Sequence, residues 1–295
     1  MSELAPRPFP GRSSLMRHTR GAIFWFLCTI ALAVIVFPLI DIVATLVQVA
    51  APLLRPSLFA TTTQAGGLGV ENGILGSLVV GAGVLVVAGP IGILAGLYIA
   101  EFASGRPRAV LRFFSEVLSG VPSIVVGYVG YVVLVKALGW GYSLVAAVTA
   151  LSMLILPYVV KNTEVAFESV PRSLREGAAA LGLSRLTTIR KVLLPPALPL
   201  IVSGLVLAEA IATGETAPLL FTANWSDLNP QLGLIHNPFG YLTGTVYYSF
   251  NLPSKGEHQL AFAAALVTVV MILLMIVAGR IITLRARRMT ANLEV

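Results

Sequence analysis

Long apolar runs separated by short polar stretches dominate this sequence of 295 residues. Six runs have the length that a helix needs to cross a bilayer, since about 20 residues span roughly 30 Å of hydrocarbon. They cover residues 22–50, 73–102, 113–138, 143–160, 196–223 and 259–284. Because lipid offers no partner to backbone N–H and C=O groups, each run is predicted to be an α-helix. The pattern predicts an all-α membrane protein with six transmembrane helices, the third of which carries a Gly/Pro interruption.

Composition and charge agree with this prediction. Apolar residues make up 57% of the chain and charged residues 11%, whereas a soluble domain has about a quarter of its residues charged. With six spans both chain ends share one side, and seventeen of the twenty Lys and Arg residues fall on that side. The positive-inside rule makes it the cytoplasm. The net charge of +7 therefore reflects topology and anionic lipid, and it does not indicate nucleic-acid binding.

The chain ends flank a single predicted membrane domain. Residues 1–21, rich in Pro and Arg, are expected to form a disordered basic cytoplasmic tail. The first apolar run is too long for a cleavable signal and no A-x-A site follows it, so it is predicted to be a retained anchor. The membrane domain covers 22–284, with a cytoplasmic loop at about 161–195, and 285–295 form a second cytoplasmic tail. A single cysteine, Cys28, excludes an intrachain disulfide.

The loop between the fourth and fifth runs carries most of the mid-chain charge. Ser173 and Glu176 have the spacing of a capping box, which predicts a helix that starts there and stops at Gly182. A second short helix is expected after Ser184, ending where Pro195 blocks its continuation. The residues alone leave two interpretations about equally open: a docking surface, or an ordinary solvated connector.

The same loop resembles the EAA loop of bacterial ABC-importer permeases. The resemblance lies in Glu176-Gly-Ala-Ala-Ala-Leu-Gly182, followed by Ile189 and Leu194-Pro195. It implies a type I importer fold in which the loop forms a coupling helix against a cytoplasmic ATPase. The residues expected to carry this contact are Arg175, Glu176, Gly177, Ala178 and Gly182. Gly177 stands where the family usually has alanine, which costs about 1 kcal/mol of helix propensity.

Three further stretches resemble the PstA-type permeases of phosphate-specific importers. They are Gly214–Ala223, Leu118–Gly127 and Gly96–Phe102. The resemblance implies a permease of the bacterial inner membrane that is not an enzyme and needs no cofactor. It also implies three protein partners: a second permease of the PstC type, a homodimeric ATPase and an extracytoplasmic phosphate-binding protein.

The candidate substrate path lies where helices are interrupted. Gly214, Thr216 and Pro218 weaken the fifth span near its middle and free polar groups there. Glu215 lies at the same place. The sequence favours two interpretations of it about equally: a contact in the substrate path, or a structural salt bridge to another span or subunit. In the third span, Ser119 and Ser123 flank a second interruption and are the residues there that we expect to be worth testing.

Other polar residues of the spans are expected to have structural roles. Glu209 lies six positions before Glu215, on a different face of the helix, so the two carboxylates do not form a metal pair. The segment between Glu209 and Glu215 contains no arginine, although related permeases often have one there. Asp41, Glu101 and Glu116 are expected to pair at the membrane interface, Glu101 with Arg106 or Arg108. The aromatic residues of the 224–258 loop are expected to form an interfacial belt more readily than a docking site for a binding protein.

Three functions remain open from the sequence. The first is the membrane subunit of an ABC importer for inorganic phosphate. The second is the same machine with another oxyanion or a phosphonate as cargo, and the third is a secondary carrier or channel acting alone. A Walker A sequence, a Ser/His/Asp arrangement and metal-ligand spacing are all absent from the sequence. The ATP chemistry of the first two machines is therefore expected on another chain.

Overall fold

The structure, a computed structural model, describes residues 12–231 and 233–291. All regular secondary structure in these residues is helical. The helices are α1 (Arg12–Ala50), α2 (Pro56–Ala60), α3 (Glu71–Glu101), α4 (Gly105–Ser119), α5 (Ser123–Gly130), α6 (Leu144–Glu168), α7 (Arg172–Ala180), α8 (Arg185–Thr187), α9 (Leu194–Gly214), α10 (Ala217–Thr222), α11 (Leu242–Phe250) and α12 (Lys255–Ala291). The chain divides into two compact units, and the division falls between Gln48 and Val49.

The first unit contains most of α1. Its apolar side chains are exposed around the helix, as expected of a helix whose surroundings are lipid. Residues 12–20 were predicted to be disordered, and this prediction is wrong: α1 begins at Arg12 and includes them. Residues 1–11 lie outside the described part of the chain. At the other end, α12 continues to Ala291, so the predicted tail is helical from 285 to 291, while 292–295 lie outside the described residues.

Within the described residues, five helices are long and apolar enough to span a membrane. They are Thr19–Leu53, Glu71–Glu101, Leu144–Glu168, Arg185–Gly214 and Lys255–Leu284. A sixth span exists only if the pair Gly105–Ser119 and Ser123–Ala137 is counted as one, and that pair is bent by 92°. Gly120 and Pro122 lie at the bend, where proline removes a backbone donor and clashes with the preceding turn. The predicted interruption of the third run is therefore confirmed, and it is a sharp bend.

Two predicted boundaries of the charged loop are wrong. The fourth span does not end at residue 160, because α6 continues to Glu168. Pro195 does not end the helix that starts after Ser184, since Arg185–Gly214 is one continuous spanning helix. A wide π-helical stretch, Thr188–Leu193, lies just before the proline pair. Pro195 and Pro196 lie in the first turn of α9, directly after this change of helix geometry.

The second unit is built around α3 and α6, which run in the same direction. A Cβ added at Gly83 or Gly92 would lie 2.6 Å from the side chains of Val148 or Val159 respectively. Small residues allow such close approach of membrane helices. α9 packs against both helices and α12 packs against α9, so α9 lies within the bundle. We call the end of the bundle where α3 and α6 finish the loop end.

The segment before α11 is part of the core. Tyr241 is fully buried, so the predicted interfacial position is wrong for this tyrosine. The backbone N–H of its neighbour Leu242 donates to Ser77 Oγ on α3 at 2.9 Å. Trp225 stacks on Tyr248, with ring centroids 5.3 Å apart, and donates to Thr245 Oγ1. The aromatic residues of the 224–258 loop thus hold α11 against the bundle.

Candidate functional site

The helix that contains Glu215 is broken at that residue. α9 ends at Gly214, Glu215 has an extended backbone (φ −72°, ψ 134°), and α10 begins at Ala217. The predicted break in this span is therefore confirmed. Thr243, at the start of α11, donates from its hydroxyl to the Glu215 carbonyl at 3.0 Å. Sequence reasoning missed Thr243, because nothing in the chain order indicates that α11 folds back to this break.

The break in the third span lies next to the break at Glu215. The side chain of Ser123, the first residue of α5, lies close enough to the Glu215 carboxylate to interact with it electrostatically. Ser119 is exposed and donates to the Glu116 carbonyl of its own helix at 2.8 Å. Of the two serines predicted to matter, the structure therefore places Ser123 at Glu215 and leaves Ser119 on α4.

Close packing of α5 on α10 brings the two breaks together. A Cβ added at Gly127 would lie 2.9 Å from both the Ala217 carbonyl oxygen and the Pro218 Cα. Pro218 is buried at this contact, and Thr216 is half-buried beside it. Gly214 faces Ile272, near the middle of the span Lys255–Leu284. The meeting point of the two breaks, which we call the double break, thus lies near mid-depth of the bundle.

Substituting Gly127 by Ala is expected to weaken the double break. Backbone atoms of α10 leave no room for a methyl group, and overpacking of this kind costs about 1–3 kcal/mol. The thermal midpoint of the detergent-purified protein should fall. The matched control is Gly21→Ala, because a Cβ at Gly21 meets no atom within 4 Å. An equal midpoint for both variants would show that α5 does not pack on α10 in this way.

Glu209 occupies a separate place in the bundle. It is 7% exposed, and a Cβ added at Gly81 on α3 would collide with its Oε1. Its Oε2 is buried without a hydrogen-bond partner in the described part of the chain. Glu215 instead contacts Ser123 on α5, so the prediction that the two carboxylates do not share a face is confirmed.

The first helix predicted for the charged loop is present, but it starts at a different residue. α7 begins at Arg172 after Pro171, and neither Ser173 nor Glu176 caps it, so the predicted capping box is wrong. Pro171 is suited to this position because it lacks the N–H that a helix start leaves unbonded. The chain leaves α7 through Gly182, whose φ of +64° favours glycine. It re-enters a helix after Ser184, as predicted, and Ser184 Oγ accepts from the Thr187 N–H at this start.

The two faces of α7 have different surroundings. Arg175 and Ala178 face the protein: Ala178 is buried, and the Arg175 side chain is 28% exposed. Glu176 and Gly177 are exposed, and Leu181, just after α7, is 78% exposed. We call these three residues the outer face of α7. Leu181 was not predicted as a site residue, although a leucine next to a left-handed glycine in a charged loop could have indicated an exposed apolar contact.

Ion pairs of the described residues gather at the loop end. Arg112 pairs with Glu164 and, at 2.6 Å, with Glu168, and Arg108 also pairs with Glu168. These contacts join α4 to α6. Glu101 pairs with Arg175, so the prediction that it pairs is confirmed, whereas its predicted partners Arg106 and Arg108 are wrong. The loop folds back over the end of α3, which the order of the sequence does not show.

Comparisons with known proteins identify the family. The family model described as "Binding-protein-dependent transport system inner membrane component" matches residues 88–291. The "Phosphate transport system permease protein PstA 2" of Mycobacterium bovis is 43% identical over 97% of this chain and 96% of its own length.

Solved structures of two transporters share the fold. A chain of the MetNI methionine ABC transporter, in inward-facing conformations, has a TM-score of 0.57 at 20% identity and covers 74% of this chain and 94% of its own. A chain of a bacterial alginate ABC transporter, solved with a periplasmic protein that carries an alginate pentasaccharide, has a TM-score of 0.61 at 17% identity, covering 86% and 92%. These likenesses confirm the predicted fold of an ABC importer permease. The chain belongs to the inner membrane components of binding-protein-dependent transport systems, a family of non-catalytic membrane subunits, and within it to the PstA-type permeases.

Proposed function

We propose that this chain is a membrane-spanning subunit of an ATP-driven importer of inorganic phosphate and forms half of the translocation path. The observation that carries the proposal is the double break, where Glu215 and Ser123 meet near mid-depth. Interrupted helices free backbone and hydroxyl groups for a polar solute inside a bilayer. The phosphate transport named for the 43% identical relative supports the choice of cargo.

The path uses side chains on both broken helices. Gly214 and Pro218 set the backbone that leaves Glu215 and Thr216 outside regular helix, and Ser123 contributes from α5. Ser119 lies at the other end of the same bend. A carboxylate repels a phosphate anion, so Glu215 acts by accepting a hydrogen bond from a protonated phosphate or by holding a cation that contacts the substrate. None of the ion pairs formed by the described residues involves Glu215. If phosphate needs an arginine to neutralise its charge in the path, the second permease must supply it.

The outer face of α7 is the contact for the ATPase. Glu176 and Leu181 are exposed there. The surface at Gly177 is also uncovered, since a Cβ at this position would meet no atom within 4 Å. Arg175 and Ala178 hold the inner side, and Gly182 ends the helix. Movement of α7 by a homodimeric ATP-binding subunit rocks the spans and exposes the path alternately to the two sides.

The assembly has further partners and a fixed orientation. A PstC-type permease completes the pore as a heterodimer, an extracytoplasmic phosphate-binding protein delivers the ion, and lipid surrounds the spans. Both chain ends and the loop end lie in the cytoplasm, supported by the excess of basic residues on that side.

Labelled-phosphate uptake tests the cargo directly. Cells lacking this chain should lose uptake at micromolar external phosphate and regain it when the chain is restored, while sulfate and phosphonate do not compete. Competition by sulfate or a phosphonate would move the assignment to the second candidate, an importer of another oxyanion. Unchanged phosphate uptake in the cells without the chain would reject phosphate as its cargo.

A further inference from the structure

Arg175 joins three helices at the loop end. Its Nη1 donates to Glu101 Oε1 at 3.0 Å, and its Nη2 donates to the Phe167 carbonyl oxygen at 2.6 Å. Glu101 is the last residue of α3, and Phe167 lies in the last turn of α6. One side chain of α7 therefore contacts the ends of both parallel helices at the centre of the bundle.

The chemistry of this contact suits a rigid connection. The last carbonyl groups of a helix carry partial negative charge and lack their regular intrahelical partners. The Phe167 carbonyl accepts from the Val170 N–H at 3.2 Å, and its second lone pair is available to a guanidinium. A guanidinium is planar and presents its donors in a fixed fork, which restrains direction as well as distance. With 28% of its side chain exposed, Arg175 is also partly shielded from water and salt.

A second contact supports the same connection. The Arg185 guanidinium lies over the Phe102 ring, 5.4 Å from its centroid. Phe102 directly follows Glu101 in the chain. Arg175 on α7 and Arg185 on α8 therefore both contact the end of α3. The other ion cluster at the loop end, formed by Arg108 and Arg112 with Glu164 and Glu168, joins α4 to α6 and uses none of these groups.

We propose that Arg175 is a positioning residue that fixes α7 to the ends of α3 and α6, so that displacement of α7 moves the two helices together. It does not contact the ATPase; that contact belongs to the outer face of α7. The inference rests on the proposed coupling role of α7. Loss of Arg175 should therefore separate ATP hydrolysis from transport without releasing the ATPase.

The test uses the purified complex of both permeases and the ATP-binding subunit in sealed vesicles. With Arg175→Ala the ATPase should co-purify at the wild-type ratio, while phosphate transported per ATP hydrolysed falls about tenfold, within the range typical of coupling between two sites. The matched control is Arg190→Ala, an exposed arginine of the same loop for which the described residues offer no ion pair. It should behave as wild type.

Two further variants keep the test decisive if the two permeases do not assemble with each other in Arg175→Ala. Glu101→Gln removes the charge of the acceptor and keeps its shape, and it should lower the transport ratio less than Arg175→Ala. Exchanging the charges in Glu101→Arg with Arg175→Glu should recover part of the ratio lost in Arg175→Glu alone.

Two results would overturn the positioning role. Loss of the ATPase from Arg175→Ala would make Arg175 a direct ATPase contact, and an unchanged transport ratio in both Arg175→Ala and Glu101→Gln would show that the connection carries no movement. Failure of the underlying proposal looks different, because the ATPase would then remain bound when the outer face of α7 is altered.

Discussion

Replacing Glu215 by Gln is expected to lower phosphate uptake about tenfold or more, since hydrogen bonds to charged groups contribute roughly 1.5–3 kcal/mol. The substitution keeps the shape of the side chain beside Ser123, but it removes the charge at the double break. Amounts of assembled complex should stay at the wild-type level, because the charge has no ion-pair partner among the described residues. Uptake by cells carrying each variant, divided by the complex present in their membranes, is the measurement.

The control for Glu215→Gln is Glu116→Gln. Glu116 is an exposed carboxylate on α4, so the same chemical change is made away from the double break. Uptake should be unaltered in the control. If Glu215→Gln also transports at the wild-type rate, Glu215 is a structural contact of α5 and the path does not depend on its charge.

Replacing Leu181 by Asp is expected to release the ATPase. A leucine that is 78% exposed in a charged loop gains stability when a partner covers it, and central apolar contacts of an interface contribute about 2 kcal/mol or more. A buried carboxylate at the same place adds a desolvation cost. The amount of ATP-binding subunit that co-purifies with the permease should fall by more than about tenfold, since each 1.4 kcal/mol is a factor of ten.

Leu252→Asp is the matched control for the ATPase contact. Leu252 is also an exposed leucine, but it lies in the turn between α11 and α12, away from α7. The ATPase should co-purify normally with this variant. Normal co-purification with Leu181→Asp as well would remove the outer face of α7 from the interface and leave the loop as a solvated connector.

The sequence predicted the elements whose cause is local. Membrane helices follow from apolar length, and the breaks at Glu215 and between Ser119 and Ser123 follow from Gly and Pro in the same runs. Gly182 and Ser184 likewise mark the end of α7 and the next helix start through their own backbone preferences. These predictions needed no knowledge of which helices pack together.

Predictions that depended on packing were less successful. Pro195 was expected to end a helix, but the π-helical stretch before it lets the helix continue. The capping box at Ser173 gave way to a start after Pro171. Contacts such as Arg175 with Glu101, or Thr243 with the Glu215 carbonyl, join residues far apart in the chain. No local pattern records which distant segments will meet.

For the candidate site too, the sequence indicated which residues matter but not which neighbours they contact. Polar groups in an apolar run indicate function wherever they lie, so Glu215, Thr216 and Ser123 could be named from the sequence. Whether each faces a neighbouring helix is a property of the packed bundle. Glu209 illustrates this, because its carboxyl group lies against Gly81 on α3 and takes no part in the double break.

ATP-driven phosphate accumulation in sealed vesicles is the most direct test of the function proposed for this chain. The purified complex should accumulate labelled phosphate only when ATP is supplied on the side of the loop end and the phosphate-binding protein is present on the other side. Phosphate accumulation without ATP would make the chain a secondary carrier. ATP hydrolysis without any phosphate accumulation, in a complex that accumulates another oxyanion, would contradict the assignment of phosphate as its cargo.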